Sequence, residues 1–192
     1  MTPQKIKVSY TILNAWAQGR YEDAIKYFFR LDVIQTPAML EGQKYHKAWE
    51  EEIKKTKKLP EVFGAKQLIN PSPEQYIKVN INDWLILSGK IDCYDKPTIY
   101  EFKTGIQTSE DVARSKQPGV YAVLSTLNKQ YADRAEIHCF NQKVKNDNKS
   151  MSIVYLTDKV LEDALNWIET LSGEIRNYLE QNKLFEKYSQ NL

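Results

Sequence analysis

The sequence predicts an α/β sandwich in which helices flank a mixed central sheet. Three observations lead to this fold class. Apolar residues repeat at helical spacing up to residue 56, alternate with polar residues in the middle of the chain, and return to helical spacing after residue 157. A chain of 192 residues with 42% hydrophobic content can bury one core of ordinary size. We therefore expect a single α/β domain.

The first part of the chain predicts three helices. Ser9 is a suitable N-cap for the first helix, which Gly19 ends, and the second covers about 21–31. The third follows Pro37 and covers about 38–56, where a run of lysines suits the negative end of the helix dipole. Each helix has an apolar stripe that can pack against a sheet.

The middle of the chain changes to a strand-like period. Residues 62–69 predict a first strand, and the Asn-Pro-Ser-Pro cluster at 70–73 predicts a turn. Apolar and polar residues alternate over 77–81, and two more strands follow at 84–93 and 99–103. Together they form an antiparallel meander of three or four strands.

The remaining elements are a helix, two strands and a long helix. The helix covers about 111–127, and the polar loop 141–150 joins strands at 135–139 and 153–155. Thr157 caps a final helix of about 25 residues with an apolar stripe. The predicted parts of the domain are N-terminal helices (1–36), an α/β core (37–156) and a C-terminal helix (157–192).

Composition excludes several classes of protein. With 27 Lys+Arg against 25 Asp+Glu the net charge is +2, so the chain lacks the basic footprint of many nucleic-acid binders. No apolar run approaches the roughly 20 residues that span a bilayer, and the N-terminus lacks a signal-peptide stretch, which predicts a cytoplasmic protein without a membrane partner. The two cysteines, Cys93 and Cys139, indicate neither a disulfide scaffold nor a four-cysteine metal site.

Two acids and a lysine on neighbouring predicted strands form the first candidate site. Asp92 ends one strand and Glu101 lies on the next, so their side chains are expected about 5 Å apart. Carboxylates at that distance repel unless a divalent cation such as Mg²⁺ binds between them. Lys103 shares the face of Glu101 and can stabilise charge on a pentacovalent phosphate. The pattern favours phosphodiester hydrolysis, with a pair of unrelated surface charges as the alternative.

Five segments follow one another along the chain: Ser9–Trp16, Gly42-Gln43-Lys44-Tyr45-His46, Gly89-Lys90-Ile91-Asp92, Glu101-Phe102-Lys103-Thr104-Gly105 and Gln117-Pro118-Gly119-Val120-Tyr121. In this order they resemble the motifs of the RecB-like nuclease branch of the PD-(D/E)XK superfamily. The resemblance covers most of the chain. It implies a restriction-endonuclease-like sandwich, with a central mixed β-sheet flanked by helices, that cleaves DNA with a metal ion.

The resemblance also implies the metal ligands and the catalytic residues. His46, Asp92 and Glu101 would bind Mg²⁺ or Mn²⁺, and the Phe102 backbone carbonyl would add one more ligand. Asp92, Glu101 and Lys103 would form the catalytic set, with Lys103 as the catalytic lysine. Imidazole suits Mn²⁺ better than Mg²⁺, because Mn²⁺ is the softer ion.

A helix after the meander would carry the substrate-binding residues. The resemblance implies that Gln117 and Tyr121 position substrate phosphate or support the lysine, and four residues of spacing places both on one helix face. Their alternatives are a helix-start residue for Gln117 and a core residue for Tyr121. A surface or hydrogen-bonded histidine is the alternative for His46. His138 matches no motif and is predicted to be structural.

The sequence departs from the family in one respect. Many RecB-like nucleases, the CRISPR-adaptation nucleases among them, hold an iron–sulfur cluster with cysteines near both ends of the domain. Cys93 and Cys139 lie in predicted strands instead, so no iron–sulfur cluster is expected. Three lysines of the 141–150 loop either contact a phosphate backbone or form a solvated hairpin tip: Lys143, Lys145 and Lys149.

The sequence therefore predicts a Mg²⁺- or Mn²⁺-dependent deoxyribonuclease, an exonuclease rather than an endonuclease, in DNA recombination, repair or phage DNA processing. The expected partner is DNA, as single strands or duplex ends. No phosphate-loop motif of a helicase motor is present, so any unwinding would come from a helicase or recombination protein. Two alternatives stay open: a catalytically silent nucleic-acid-binding or adaptor module, and a restriction-type endonuclease subunit.

Overall fold

The computed structural model describes residues 5–32, 34–105, 107–141 and 148–188. The strands are β1 (Ile6–Val8), β2 (Ser72–Asn80), β3 (Leu85–Asp95), β4 (Thr98–Thr104), β5 (Arg134–Phe140) and β6 (Lys149–Tyr155). The helices are α1 (Tyr10–Ala17), α2 (Tyr21–Phe28), α3 (Pro37–Thr56), α4 (Ser109–Arg114), α5 (Gln117–Leu127), α6 (Asp158–Gln181) and α7 (Leu184–Lys187). None of the helices in these ranges is long and apolar enough to span a bilayer.

The six strands of the described chain form one sheet organised around β3. β2 pairs antiparallel with β3 from Ser72↔Tyr94 to Asn80↔Ile86. β1 pairs parallel with the start of β3, and β4 pairs antiparallel with its end. Because β2 occupies one edge of β3 along this length, β1 and β4 share the other edge. The sheet continues through the parallel strand β5 to the antiparallel strand β6, which confirms the predicted mixed sheet.

Helices cover both faces of the sheet, as expected for the predicted sandwich. Alternate residues of β4 reach two different cores: Ile99 packs into the larger one, which α1, α2, α5 and α6 cover. Phe102 packs into the smaller one, against Trp49 and Ile53 of α3. Burying a Leu, Ile or Phe side chain contributes about 1.5–3 kcal/mol, so both layers stabilise the sheet.

The predicted strand at 62–69 is wrong. Glu61–Phe63 forms a 3-10 turn, and the Phe63 ring stacks on Phe102 with a centroid distance of 5.2 Å. Two short apolar pairs cannot distinguish a strand from a turn that packs its side chains inward. The segment covers the smaller core instead of extending the sheet.

The predicted turn at 70–73 is also wrong in its second half. β2 begins at Ser72 and includes Pro73, because a proline is accepted among the first residues of a strand. The strand is therefore longer at its start than the alternation over 77–81 indicates. This extension adds Glu74 to the sheet.

The predicted helix over 111–127 consists of two helices. α4 ends at Arg114, and Ser115 is extended with φ −69° and ψ 130° before α5 begins. Pro118 lacks an amide proton, and in a continuous helix its ring would clash with the carbonyl of Arg114. The break turns α5 toward the sheet.

The C-terminal helix is confirmed and the first strand was not predicted. Thr157 caps α6 by accepting the Val160 amide at 3.4 Å from its Oγ1. β1 contains only Ile6–Val8, which is too short to show an alternating pattern in the sequence.

Candidate active site

Four elements bring the predicted site residues to one place. Asp92 lies on β3, Glu101 and Lys103 on β4, His46 on α3, and Gln117 on α5. A cleft of about 850 Å³ opens there, lined by residues of α1, α3, β2, β3, β4 and α5. The predicted residues therefore converge although they span more than 70 positions of the chain.

β3 and β4 separate where the acids lie. Their ladder ends with Cys93 opposite Tyr100. One position further along β3, Asp92 Oδ2 accepts the Phe102 amide at 2.8 Å, so a side chain replaces main-chain pairing. The other oxygen, Oδ1, lies 3.2 Å from His46 Nδ1. The gap between the strands leaves room for a ligand beside the carboxylate.

Glu101 follows the same register and faces Asp92 across the gap. Its Oε1 accepts hydrogen bonds from Lys103 Nζ at 2.5 Å and from Gln117 Nε2 at 2.7 Å. Its Oε2 is buried without a hydrogen-bond partner among the described residues, and the residue is only 5% exposed. Burial, followed by the negative charge of Asp92, raises the pKa of Glu101 to about 7. A bound cation would relieve both unfavourable effects.

The side chains of α5 hold the lysine. Gln117 Oε1 accepts from Lys103 Nζ at 2.8 Å, and its Nε2 donates to the Tyr121 hydroxyl at 2.9 Å. Burial works against the charge of Lys103, but the adjacent Glu101 carboxylate raises its pKa above the ordinary value. Burial raises the pKa of Tyr121 well above the usual range, so the hydroxyl stays neutral. The lysine is thus a positioned cation.

His46 reaches the site from α3. Its side chain is 28% exposed, and its ring lies with a centroid distance of 5.5 Å from Trp49, which helps to fix its orientation. Burial lowers the pKa of His46, but the hydrogen bond to Asp92 and the nearby carboxylates outweigh it, so the pKa lies above the usual value. The ring nitrogen beside Asp92 is available as a metal ligand when the ring is neutral.

Two glycines of the motifs allow the elements to approach. A Cβ on Gly89 would lie 2.6 Å from Leu124 Cδ1, so a larger residue there would require the buried Leu124 side chain of α5 to move. A Cβ on Gly42 would lie 3.2 Å from Thr104 Oγ1, between α3 and the end of β4. The two glycines thus lie at close contacts of α5 with β3 and of α3 with β4, and these helices carry Gln117 and His46.

One acid of the cleft was missed by the sequence reasoning. Glu74 lies on β2 between the pairs Pro73↔Cys93 and Gln75↔Ile91, which places it opposite Asp92. Its backbone is left-handed, with φ 54°. Reading 70–73 as a turn excluded Glu74 from the sheet, and the register of β2 against β3 is the signal that would have found it.

The donor set fits a hard or borderline divalent cation. One ligand atom each of His46, Glu74 and Asp92 lie within 4.8 Å of one another. Opposed ligands of Mg²⁺ are about 4.2 Å apart, so small side-chain movements would close the three donors around an ion. Glu101, which was also predicted as a ligand, is not one of these three residues; its Oε2 is buried without a hydrogen-bond partner among the described residues. The Phe102 amide binds Asp92, and a role for the Phe102 carbonyl stays a prediction.

His138 lies on the other side of β5 from the larger core and does not line the cleft. Its Nε2 is 3.2 Å from Glu136 Oε2, and both residues are buried. The hydrogen bond from His138, with smaller effects of neighbouring cations, lowers the pKa of Glu136 to about 2. This arrangement agrees with the structural role predicted for His138.

Neither cysteine belongs to the ligand set, and one of the three loop lysines falls within the described part of the chain. Cys93 and Cys139 are buried free thiols on β3 and β5, and burial raises the pKa of Cys93 to about 12. Lys149 begins β6 and is exposed. Lys143 and Lys145 lie outside the described residues.

Comparisons with known proteins identify the family. LHK-Exo, an alkaline exonuclease from Laribacter hongkongensis, has a similar solved structure: 11% identity, TM-score 0.57, covering 97% of this chain and 95% of that chain. LHK-Exo in complex with dAMP gives a TM-score of 0.58 at 9% identity, covering 97% and 95%. SSO0001 gives 0.56 at 12% identity, covering 89% and 77%. These likenesses confirm the fold.

A comparison with curated proteins gave no match. A family model described as the PD-(D/E)XK nuclease superfamily matches residues 5–186. Because this match spans nearly the whole chain, the protein belongs to the PD-(D/E)XK nuclease superfamily.

Proposed function

We propose that the protein is a Mg²⁺- or Mn²⁺-dependent deoxyribonuclease that acts as an exonuclease. The observation that carries this proposal is the arrangement of two buried acids, Asp92 and Glu101, with the half-buried Lys103 where β3 and β4 separate. Membership of a nuclease superfamily supports phosphodiester hydrolysis. The similar structure of an alkaline exonuclease bound to dAMP, a DNA mononucleotide, supports DNA as the substrate and removal of nucleotides from an end.

The proposed metal ligands are His46, Asp92 and Glu101, with the Phe102 carbonyl. His46 and Asp92 already lie in contact, and Glu101 has a free buried oxygen. A divalent cation at this position supplies Lewis-acid charge and lowers the pKa of a water molecule. The residues therefore prepare a negative pocket for a cation beside the scissile phosphate.

Lys103 is the proposed catalytic residue on the protein side. Hydrolysis forms a bond from a water oxygen to phosphorus and breaks one phosphorus–deoxyribose oxygen bond, and the departing oxygen ends protonated. Negative charge builds on the phosphate as the water attacks. The Lys103 ammonium, held by Glu101 and Gln117, is positioned to stabilise that charge without reorganisation.

The α5 residues are proposed to act through the lysine and on the substrate. Gln117 orients Lys103, and Tyr121 orients Gln117 by accepting its amide proton. Both side chains also line the cleft, so a phosphate could contact them directly. Their contact with the lysine and their place in the cleft wall both agree with the substrate-binding role that the motif implies.

The biological setting is proposed from the RecB-like motifs. A nuclease module of this kind would process single-stranded DNA or duplex ends in recombination, repair or phage DNA processing. A helicase or recombination protein is the proposed partner that would deliver unwound DNA. The near-neutral net charge of +2 is consistent with dependence on such a partner.

Digestion of DNA labelled at one end tests the proposal. The purified protein is incubated with single-stranded and double-stranded substrates in Mg²⁺, Mn²⁺ or EDTA. We expect progressive shortening from an end with either metal and none in EDTA. Discrete internal fragments would favour a restriction-type endonuclease instead. Binding of DNA without cleavage in either metal would contradict a nuclease and favour a silent adaptor module.

A further inference from the structure

We propose that Glu74 is a ligand of the metal centre, joining His46 and Asp92 so that α3, β2 and β3 each supply one side chain. This inference rests on the proposed function, because it extends the same site. It adds a residue that lies outside the five motif segments. Glu74 belongs to β2, whose start the sequence pattern assigned to a turn.

The position of Glu74 in the sheet carries the first step. The pairs Pro73↔Cys93 and Gln75↔Ile91 place it directly opposite Asp92. Glu74 is left-handed, so the regular spacing of a ladder does not apply to it, but its carboxylate still reaches the site: ligand atoms of Glu74, Asp92 and His46 lie within 4.8 Å of one another.

The charges around Glu74 carry the second step. Its side chain is 13% exposed, and its carboxylate contacts the ammonium of Lys90, which is 56% exposed. The Lys90 side chain is long and mostly in solvent, so it can move away at small cost. A divalent cation held by His46, Glu74 and Asp92 would offset the charge of both carboxylates, whereas the Lys90 ammonium carries a single positive charge.

The surroundings of Glu101 carry the third step, independently of Glu74. Lys103 and Gln117 both bind Glu101 Oε1, which leaves only Oε2 for a metal. That oxygen is buried without a hydrogen-bond partner among the described residues. Among the described residues, the three donors that lie within 4.8 Å of one another belong to His46, Glu74 and Asp92, and Glu101 is not one of them. Glu74 therefore supplies the second carboxylate beside Asp92.

Mn²⁺ binding by purified variants tests the inference without a nuclease assay. Dissociation constants for Mn²⁺ are measured by titration calorimetry for the wild type, Glu74→Gln and Glu50→Gln. Glu50 is the matched control, because it lines the same cleft but pairs with Lys54 on α3. We expect Glu74→Gln to weaken Mn²⁺ binding at least about tenfold and Glu50→Gln to change it less than about twofold.

Thermal unfolding without metal separates a ligand from a structural residue. Glu74→Gln should leave the metal-free Tm near that of the wild type but reduce the increase in Tm that Mn²⁺ produces. Unchanged Mn²⁺ affinity in Glu74→Gln, or an equal loss in Glu50→Gln, would overturn the inference.

A second variant tests the competition between Lys90 and the metal. If Glu74 must leave Lys90 to bind Mn²⁺, Lys90→Met tightens Mn²⁺ binding more in the wild-type background than in Glu74→Gln. An equal effect in both backgrounds would mean that Lys90 acts only through its charge, and would count against Glu74 as a ligand.

The outcome is distinguishable from a failure of the proposed nuclease. If Glu74→Gln weakens Mn²⁺ binding but the wild type cleaves no DNA, Glu74 remains a metal ligand and the proposed nuclease activity is rejected. If the wild type cleaves DNA but Glu74→Gln binds Mn²⁺ with full affinity, the nuclease activity stands and Glu74 is rejected as a ligand. A wild type that binds no Mn²⁺ would contradict both.

Discussion

Gly89→Ala tests why a glycine precedes the acid of β3. The added Cβ would lie 2.6 Å from Leu124 Cδ1 and 3.4 Å from Tyr121 Cε1. Carbon atoms normally approach to about 3.5–4.0 Å, so Leu124 would have to move by roughly 1 Å. Leu124 is fully buried in the larger core, and the packed interior resists that movement.

The expected cost follows from two opposing effects. Overpacking a well-packed core costs about 1–3 kcal/mol. Replacing glycine in a strand recovers roughly 0.5–1 kcal/mol of backbone entropy. We therefore expect Gly89→Ala to lower the free energy of unfolding by about 1–2 kcal/mol, with cleavage reduced because α5 carries Gln117 and Tyr121.

Urea unfolding measures this cost and its cause. Gly173→Ala on α6 is the control, since no atom lies within 4 Å of its added Cβ. It should leave stability unchanged or raise it by up to about 1 kcal/mol. Combining Gly89→Ala with Leu124→Ala should cost less than the sum of the two single changes, because the new methyl group enters the space that Leu124 leaves. Additive costs, or a fully stable Gly89→Ala, would refute the packing argument.

Three further variants probe the rest of the structure. Tyr121→Phe removes the acceptor of the Gln117 amide at 2.9 Å, so cleavage should fall by up to about tenfold in a kinetic assay while the fold is kept. Glu136→Gln removes a carboxylate whose pKa is lowered to about 2, mainly by His138. Because its pKa is lowered in the folded state, the ionised carboxylate stabilises the fold by roughly 3 kcal/mol at most above a pH of about 4.5. This stabilisation is lost as the pH falls toward 2. Unfolding titrations should therefore show a smaller acid dependence in Glu136→Gln, and an unchanged dependence would contradict the assignment. Thr157→Ala should cost about 1 kcal/mol in urea unfolding by removing the cap of α6, whereas an unchanged midpoint would contradict the cap.

Local patterns predicted much of the fold and the acid pair. β3 and β4 are neighbours in sequence, so the alternation of each strand and the short turn between them place Asp92 beside Glu101. Helical spacing places Gln117 and Tyr121 on one face of α5, but only the resemblance to a nuclease family indicated their role at the site. In contrast, the contact between His46 and Asp92 crosses 46 positions, and only the resemblance to a nuclease family indicated it.

The features that were missed depend on pairing or packing over longer distances. Glu74 lies opposite Asp92 only once β2 is extended past Pro73, and a left-handed residue inside a strand has no sequence signature. The segment around Phe63 packs on Phe102 instead of pairing, which two apolar pairs cannot show. β1 acquires its strand conformation from the edge of β3, not from its own three residues.

One measurement tests the central claim most directly: cleavage of end-labelled DNA in Mn²⁺ by the wild type, Asp92→Asn, Lys103→Met and the control Glu50→Gln. Circular dichroism and urea unfolding establish that each variant is folded. We predict that Asp92→Asn and Lys103→Met lose cleavage by at least about a hundredfold, since each removes charge that stabilises the reacting phosphate or its metal, while Glu50→Gln cleaves like the wild type. Undiminished cleavage by folded Asp92→Asn and Lys103→Met would contradict the account.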